Sequence, residues 1–202
     1  MLFRSTLLAA AALIGMTAAA SAAPITGQLS INGYAQSVGS VGMGSATGIS
    51  FANASGSFVS GTSGSLTSFG AGSGTFAGMS CTNGTTGCGT IRNIDNFATA
   101  GAIASFLTLT SGVSFDLSSI TNVTRGMDAT GGSIVLTANG VIRYDGFDAT
   151  RGVFSLTAQG NRITSFSATT LAAEASSVPE PASLAILGGS LAVLGLVRRK
   201  KA

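Results

Sequence analysis

The residues best suited to chemistry in this sequence are two aspartates in a glycine-bounded loop, Asp145 and Asp148. Carboxylate oxygens at this spacing are ligands that Ca²⁺ accepts. Calcium takes about six to eight oxygens, however, and the dense Asp-x-Asp-x-Asp pattern of a calcium loop is missing from this segment. Both residues are therefore weak metal candidates, and we interpret them as turn-forming residues that pair with Arg143 or Arg151.

The amino-acid composition argues against an enzyme. The sequence contains no histidine, which excludes a His general base and His metal ligands. A glycosidase that used Asp145 and Asp148 would need aromatic platforms for its sugar, and the chain has no tryptophan and only two tyrosines, Tyr34 and Tyr144. Neither a G-x-S-x-G elbow nor a G-x-x-x-x-G-K-[ST] loop occurs. We predict a protein that is not an enzyme and holds no cofactor and no metal.

The few charged residues lie unevenly along the chain. The 202 residues carry a net charge of +3, but between residues 24 and 177 five arginines face six acidic residues. The positive excess therefore belongs to the two ends. Because the body carries no basic patch for phosphates, we predict that nucleic acid is not a partner.

The first 22 residues have the three parts of a secretory signal peptide. Arg4 precedes an apolar stretch at residues 7–14, and small residues follow up to Ala22. Signal peptidase needs small side chains at the first and third positions before the cut. The apolar stretch is also shorter than the about 20 residues of a membrane-spanning helix. We therefore expect export, with signal peptidase cutting between Ala22 and Ala23.

The last 25 residues combine three features in order. The proline-flanked acid Val178-Pro179-Glu180-Pro181 precedes the apolar residues 182–197, and Arg198-Arg199-Lys200-Lys201 follow. The prolines exclude helix at the motif, so we expect an extended, protease-accessible segment there. Residues 182–197 predict a transmembrane helix of roughly 24 Å, slightly short of the about 30 Å hydrocarbon core. The four cations would keep the end of the chain in the cytoplasm.

This tail closely resembles the PEP-CTERM sorting signal, which exosortase recognises and cuts. The resemblance covers about an eighth of the chain, residues 178–202. It implies a Gram-negative bacterium that makes exopolysaccharide, an inner-membrane intermediate held through residues 182–197, exosortase as a partner, and release to the cell surface or extracellular matrix. The alternative is a plain membrane anchor with an incidental motif, but an anchor has no physical need for two prolines around an acid.

Cys81 and Cys88 are the two cysteines of the chain and enclose a polar, turn-rich segment. In an exported protein an isolated pair of cysteines predicts a disulfide. Two thiols without histidine cannot complete a tetrahedral zinc site unless carboxylates lie nearby. We expect the bond to fix a loop and to contribute about 2–3 kcal/mol.

The body, residues 23–177, predicts an all-β domain. Residues 39–90 are dominated by Gly, Ser, Thr and Ala, which disfavours helix and suggests short strands with tight turns, with low-complexity disorder as the alternative. Further on, Val113, Phe115 and Leu117 alternate with polar residues as in a half-buried strand. The spacing of such strands favours an antiparallel β-sandwich or jelly-roll-like domain.

Two β-hairpins are predicted in the second half of the body. Asn139-Gly140 separates two β-prone runs and is the sequence signal of a type I′ turn. A second hairpin is predicted from residues 153–158, a Gln159-Gly160-Asn161 turn and residues 163–169.

We expect a non-enzymatic protein of the cell surface or extracellular matrix, associated with exopolysaccharide and biofilm. An alternative is a polysaccharide-binding module, for which an exposed Tyr34, an exposed Tyr144 or an exposed row of phenylalanines would argue. A glycan hydrolase based on carboxylates is the weakest hypothesis, given the missing motifs.

The position of the signal-peptide cut can be tested directly. Because the small residues at positions 20 and 22 fit signal peptidase, we expect the mature chain to begin at Ala23. Amino-terminal sequencing of the exported protein measures this, and a first residue other than Ala23 contradicts the assignment.

Overall fold

The computed structural model describes residues 22–58, 61–83, 86–161 and 163–172. Within these ranges the regular structure consists of twelve strands and two 3₁₀ turns, Met43–Ser45 and Gly74–Phe76. The strands are β1 (Ala23–Pro24), β2 (Gln28–Val38), β3 (Gly48–Phe51), β4 (Ser63–Gly70), β5 (Cys81–Thr82), β6 (Gly89–Arg92), β7 (Ile103–Leu109), β8 (Ser114–Gly126), β9 (Ser133–Arg143), β10 (Phe147–Asp148), β11 (Thr150–Gln159) and β12 (Thr164–Ala172).

Alternation along the strands separates an apolar inner face from a polar outer face. In β9 and β11 every second residue is buried, and these buried residues are Ile, Leu, Ala, Phe and Gly with one Thr. The intervening Ser, Thr, Asn and Gln side chains reach the outer surface. Since successive side chains of a strand point to opposite faces, this pattern requires one dry and one wet face of the sheet.

Eight of the strands close into an antiparallel barrel. Their order is β2-β12-β11-β9-β8-β7-β6-β4, and β4 pairs again with β2. The antiparallel all-β class is thus confirmed, but the sandwich or jelly-roll-like arrangement was wrong, because pairing between β2 and β4 joins the sheet to itself. The short strands β3 and β5 lie beside β2 and β4, and β1 pairs in parallel with β10.

Five phenylalanine rings from five different strands fill the barrel. Phe51, Phe106 and Phe166 make edge-to-face contacts, with centroids 6.5 Å apart for Phe51 and Phe106 and 5.1 Å apart for Phe51 and Phe166. Phe154 lies 5.2 Å from Phe106 and 6.0 Å from Phe115. Each ring is at most 2 % exposed. This cluster is the centre of the hydrophobic core, and edge-to-face geometry adds to the free energy of burial.

The predicted hairpin at Asn139-Gly140 was wrong. Both residues lie inside β9, where Gly140 pairs with Gly152 of β11 on one side and with Leu117 of β8 on the other. A Cβ atom on Gly140 would lie 2.2 Å from the carbonyl oxygen of Asp116 and 2.3 Å from the ring of Phe115. Gly140 therefore allows two strands to approach closely and does not form a turn.

The other strand predictions are confirmed. β11 and β12 form the second predicted hairpin, with Gly160 at a positive φ in the turn. β8 contains the alternating segment with Phe115 and Leu117 buried. The glycine-rich region contributes four strands, β3 to β6, so the described part of it is ordered structure.

Both predicted helices, the signal peptide and residues 182–197, lie outside the described residues. Among the residues that are described, no helix is long and apolar enough to cross a membrane.

The role of Gly140 gives a stability test. Gly140→Ala places a methyl group against a backbone carbonyl and a buried ring, so we expect the free energy of unfolding to fall by about 2–3 kcal/mol. Gly101→Ala is the matched control, because nothing lies within 4 Å of its added Cβ. Urea unfolding followed by circular dichroism compares the two, and equal stabilities would contradict the close strand approach.

Candidate functional site

A disulfide joins Cys81 and Cys88, as the sequence predicted. Their sulfur atoms are 2.00 Å apart and their Cα atoms 5.8 Å apart. Cys81 begins β5, which pairs with the end of β4, and Cys88 directly precedes β6 with its side chain buried. The bond therefore fixes the connection between an edge strand and the barrel wall.

The loop that contains the two weak metal candidates is exposed and is stabilised by contacts of its own. Asp145 and Asp148 lie in the exposed connection between β9 and β11, and nowhere in the described ranges do three His, Cys, Asp or Glu residues come together. The main-chain oxygen of Asp148 accepts a hydrogen bond of 2.8 Å from the hydroxyl of Thr150. Tyr144 stacks on Phe147 across this turn, with ring centroids 5.4 Å apart. This hydrogen bond and this ring contact stabilise the conformation of the loop.

Arg143, one of the two arginines expected to pair with this loop, instead forms an ion pair with Asp116, and the alternative pairing with Arg151 stays a prediction. The Nε of Arg143 lies 2.9 Å from Oδ2 of Asp116 on the neighbouring strand β8. Strand register explains why Arg143 pairs with Asp116. Arg143 lies opposite Ser114 of β8, which is two residues from Asp116 and on the same face of the sheet.

Asp116 has a structural role that the sequence did not reveal. Its Oδ1 accepts a 2.7 Å hydrogen bond from the backbone N–H of Ser105, a residue at φ +49° where the register between β7 and β8 shifts. The hydrogen bond from Arg143, then the one from Ser105, lowers the pKa of Asp116 below 3.8, and attraction by the guanidinium adds to this. No local pattern links residues 105 and 116, so strand alternation alone could only place Asp116 outward.

A second carboxylate organises the turn between β8 and β9. Oδ1 of Asp128 accepts hydrogen bonds from the N–H and the hydroxyl of Thr130, both at 2.7 Å, and from the N–H of Gly132 at 2.8 Å. These bonds, with the Thr130 hydroxyl first, lower the pKa of Asp128. The carboxylate is occupied by its own turn, which is a structural function.

A groove of about 360 Å³ lies on the outer face of the barrel near the β11–β12 hairpin. Asn32 and Tyr34 point outward there, since Ile31 and Ala35 of the same strand point into the core. In strand register Ser167 pairs with Asn32, and Ser165 pairs with Tyr34. The groove is lined by Asn32, Gly33, Tyr34, Thr67, Thr157, Ala158, Gln159, Ser165, Phe166 and Ser167.

Tyr34 is the exposed aromatic residue of this groove, with 36 % of its surface accessible. The other aromatic candidates differ, because Tyr144 is partly buried on Phe147 and the barrel phenylalanines are enclosed. The turn at residues 53–57 lies beside the Tyr34 ring, since a Cβ added to Gly56 would lie 3.5 Å from that ring. Oδ1 of Asn53 holds this turn by accepting bonds from the N–H groups of Ser55 and Ser57, at 3.1 and 2.8 Å.

The fold and these features define a class: a disulfide-containing antiparallel barrel with a neutral polar groove. Comparison with family models finds the PEP-CTERM protein-sorting motif at residues 177–201. No curated protein and no solved structure matches the chain. The chain thus carries the PEP-CTERM signal that its tail resembled, and this signal implies an exported protein that exosortase sorts through the membrane to the cell surface.

Of the remaining predicted site residues, those of the tail lie outside the described residues and those of the signal-peptide cut lie within them. The sorting motif Val178-Pro179-Glu180-Pro181 and the basic residues 198–201 are beyond residue 172, where the description ends. Ala22 and Ala23 are described, and Ala23 begins β1. The predicted signal-peptidase cut therefore falls directly before the first strand.

The Asp116 interactions predict a pH dependence. A carboxylate with a lowered pKa stabilises the fold above its unfolded value of 3.8, and this contribution is lost as the pH falls through the lower folded pKa. We expect urea unfolding to show decreasing stability from pH 5 to about pH 2, with a smaller decrease in Asp116→Asn. The asparagine keeps an oxygen for the N–H of Ser105 but loses the negative charge that bonds to Arg143, so we expect the variant to be less stable than the wild type at pH 7 and the two stabilities to converge as the pH falls. An unaltered pH slope in this variant would contradict the assignment.

Proposed function

We propose that this chain is a non-enzymatic protein of the surface or extracellular matrix of a Gram-negative bacterium, associated with exopolysaccharide and biofilm. The PEP-CTERM motif at residues 177–201 is the observation that carries the proposal. A closed barrel with a disulfide suits an extracellular destination, because such bonds persist in oxidising compartments.

The arrangement of the ionisable groups supports a non-enzymatic role. Asp116 bonds to Arg143 and Ser105, and Asp128 bonds to its own turn. Both carboxylates have structural partners, and the grooved face is lined by uncharged residues. A general acid or base would instead face a cleft in which a substrate can reach it.

The proposed maturation has two proteolytic steps. Signal peptidase cuts between Ala22 and Ala23, and residues 182–197 then hold the chain in the inner membrane while the cations at 198–201 stay in the cytoplasm. Exosortase recognises the Pro179-Glu180-Pro181 segment and releases the barrel. In this scheme the apolar helix positions the motif at the membrane face, and the motif provides the specificity.

A polysaccharide-binding module is the second candidate function. The exposed ring of Tyr34 in a polar groove favours it, because aromatic rings with nearby amide and hydroxyl groups suit the apolar faces and hydroxyls of sugars. The two candidates are compatible, since a matrix protein can be held in place by the polymer that surrounds it.

The sorting step is tested by two variants in cells that make the protein. Replacing Pro179, Glu180 and Pro181 with Ala leaves the apolar segment intact but removes the proposed recognition element. We expect full-length protein to accumulate in the inner membrane, with at least a tenfold loss of released protein on a fractionation blot.

The matched control exchanges residues 184–197 for another apolar sequence of equal length. We expect release close to that of the wild type, because the segment only needs to span the membrane. A plain anchor predicts the opposite order, with normal behaviour of the motif variant. Unchanged release in the motif variant would remove the proposed exosortase step.

A further inference from the structure

The described residues that line the groove beside Tyr34 are polar or apolar, and none of them is charged. Its lining side chains are hydroxyls, amides and one phenol, together with small apolar surface from Gly33, Ala158 and Phe166. Its volume of about 360 Å³ falls within the range of small-molecule sites, which are about 300–1,000 Å³. An anionic ligand would find no cation among the described lining residues, so these residues favour an uncharged, hydroxyl-bearing ligand.

The polar side chains of the groove are available to a ligand. Within the described residues, the side chains of Thr157, Gln159, Ser165 and Ser167 make no hydrogen bond to the protein. Hydroxyls and carboxamides both donate and accept, so each can match a sugar hydroxyl in either direction. Strand register pairs Ser167 with both Asn32 and Thr157, which places three polar side chains in one row across the strands.

The aromatic ring of Tyr34 points outward and lies beside a hydrogen-bonded turn. Its outward direction follows from the alternation of β2, and the turn at residues 53–57 lies beside the ring. Asn53 holds that turn through its Oδ1 atom. A neighbouring turn reduces the space open to the ring, so the ring loses less conformational entropy on binding than a fully free one would.

We infer that this groove binds a neutral carbohydrate chain, with Tyr34 stacking on one sugar ring and Asn32, Gln159 and Ser165 bonding to its hydroxyls. The inference rests on the proposed extracellular function and makes it more specific, because it selects neutral glycans over those that contain uronic acids. Asn53 is a positioning residue that acts through the turn beside Tyr34.

The test is affinity electrophoresis of the released protein in gels that contain dextran, a neutral galactomannan or the polyuronate alginate, supplemented by an array of neutral glycans. We expect retardation by at least one neutral glycan and at least tenfold weaker binding to alginate. Tyr34→Ala should weaken neutral binding at least tenfold, whereas Tyr34→Phe keeps the ring and should stay within threefold of the wild type.

Two further variants distinguish a residue that contacts the glycan from one that positions Tyr34. Gln159→Ala, inside the groove, should weaken binding about threefold or more, and Asn139→Ala on the exposed face of β9 is its matched control outside the groove. Asn53→Ala should weaken binding while its circular dichroism and thermal midpoint stay close to those of the wild type. Circular dichroism of every variant checks that the barrel is folded.

Failure of this inference is distinguishable from failure of the proposed function. A protein that is sorted and released normally but binds no neutral glycan on the array overturns the groove assignment alone. Binding that prefers alginate, or neutral binding that survives Tyr34→Ala, overturns it as well. Unchanged release of the motif variant, by contrast, overturns only the sorting proposal.

Discussion

The packing of five phenylalanine rings in a narrow barrel constrains most of the structure. Rings from β3, β7, β8, β11 and β12 meet edge to face within centroid distances of 5.1–6.5 Å. Such rings lie partly over the neighbouring strand, as Phe166 of β12 does over Gly33 of β2 and Phe115 of β8 does over Gly140 of β9, so the residue beneath them must be small. Glycines provide the room, because a Cβ on Gly33 would lie 2.6 Å from the ring of Phe166 and one on Gly140 would lie 2.3 Å from that of Phe115. The large phenylalanine rings and the glycines beside them are therefore both needed for close packing of the core.

This packing also explains the composition of the surface. The phenylalanines and aliphatic residues are concentrated inside, so strand alternation leaves Ser, Thr, Asn and Gln for the outer face. Ion pairs are correspondingly rare, and within the described ranges the pair Asp116–Arg143 joins two strands at their register. Exposed pairs of this kind contribute only about 0–1 kcal/mol, so the barrel depends on its core and backbone pairing instead of surface charge.

Local rules predicted the strands better than they predicted the barrel. Strand β8 was predicted from the alternation of Val113, Phe115 and Leu117, and the β11–β12 hairpin from the Gln159-Gly160-Asn161 turn. Both predictions were right because strand alternation and turn formation depend on residues that are close in sequence. Closure depends on pairing between residues 30 and 70, which no local pattern encodes. The same limit explains Asn139-Gly140, whose sequence favours a turn while tertiary contacts require an uninterrupted strand. The Tyr34 groove could be anticipated only as an exposed aromatic residue, since its partners come from three other strands.

Tyr34 is the residue whose type the fold itself does not require. The inner face of β2 is filled by Leu29, Ile31 and Ala35, and a serine or threonine at position 34 would satisfy an outward strand position equally well. Single exposed apolar residues are ordinary on protein surfaces. Here, however, an ordered turn with its own asparagine bonds lies against the ring, and uncharged polar groups surround it. An outward ring adds nothing to the core, so its physical consequence is an accessible aromatic surface within the groove.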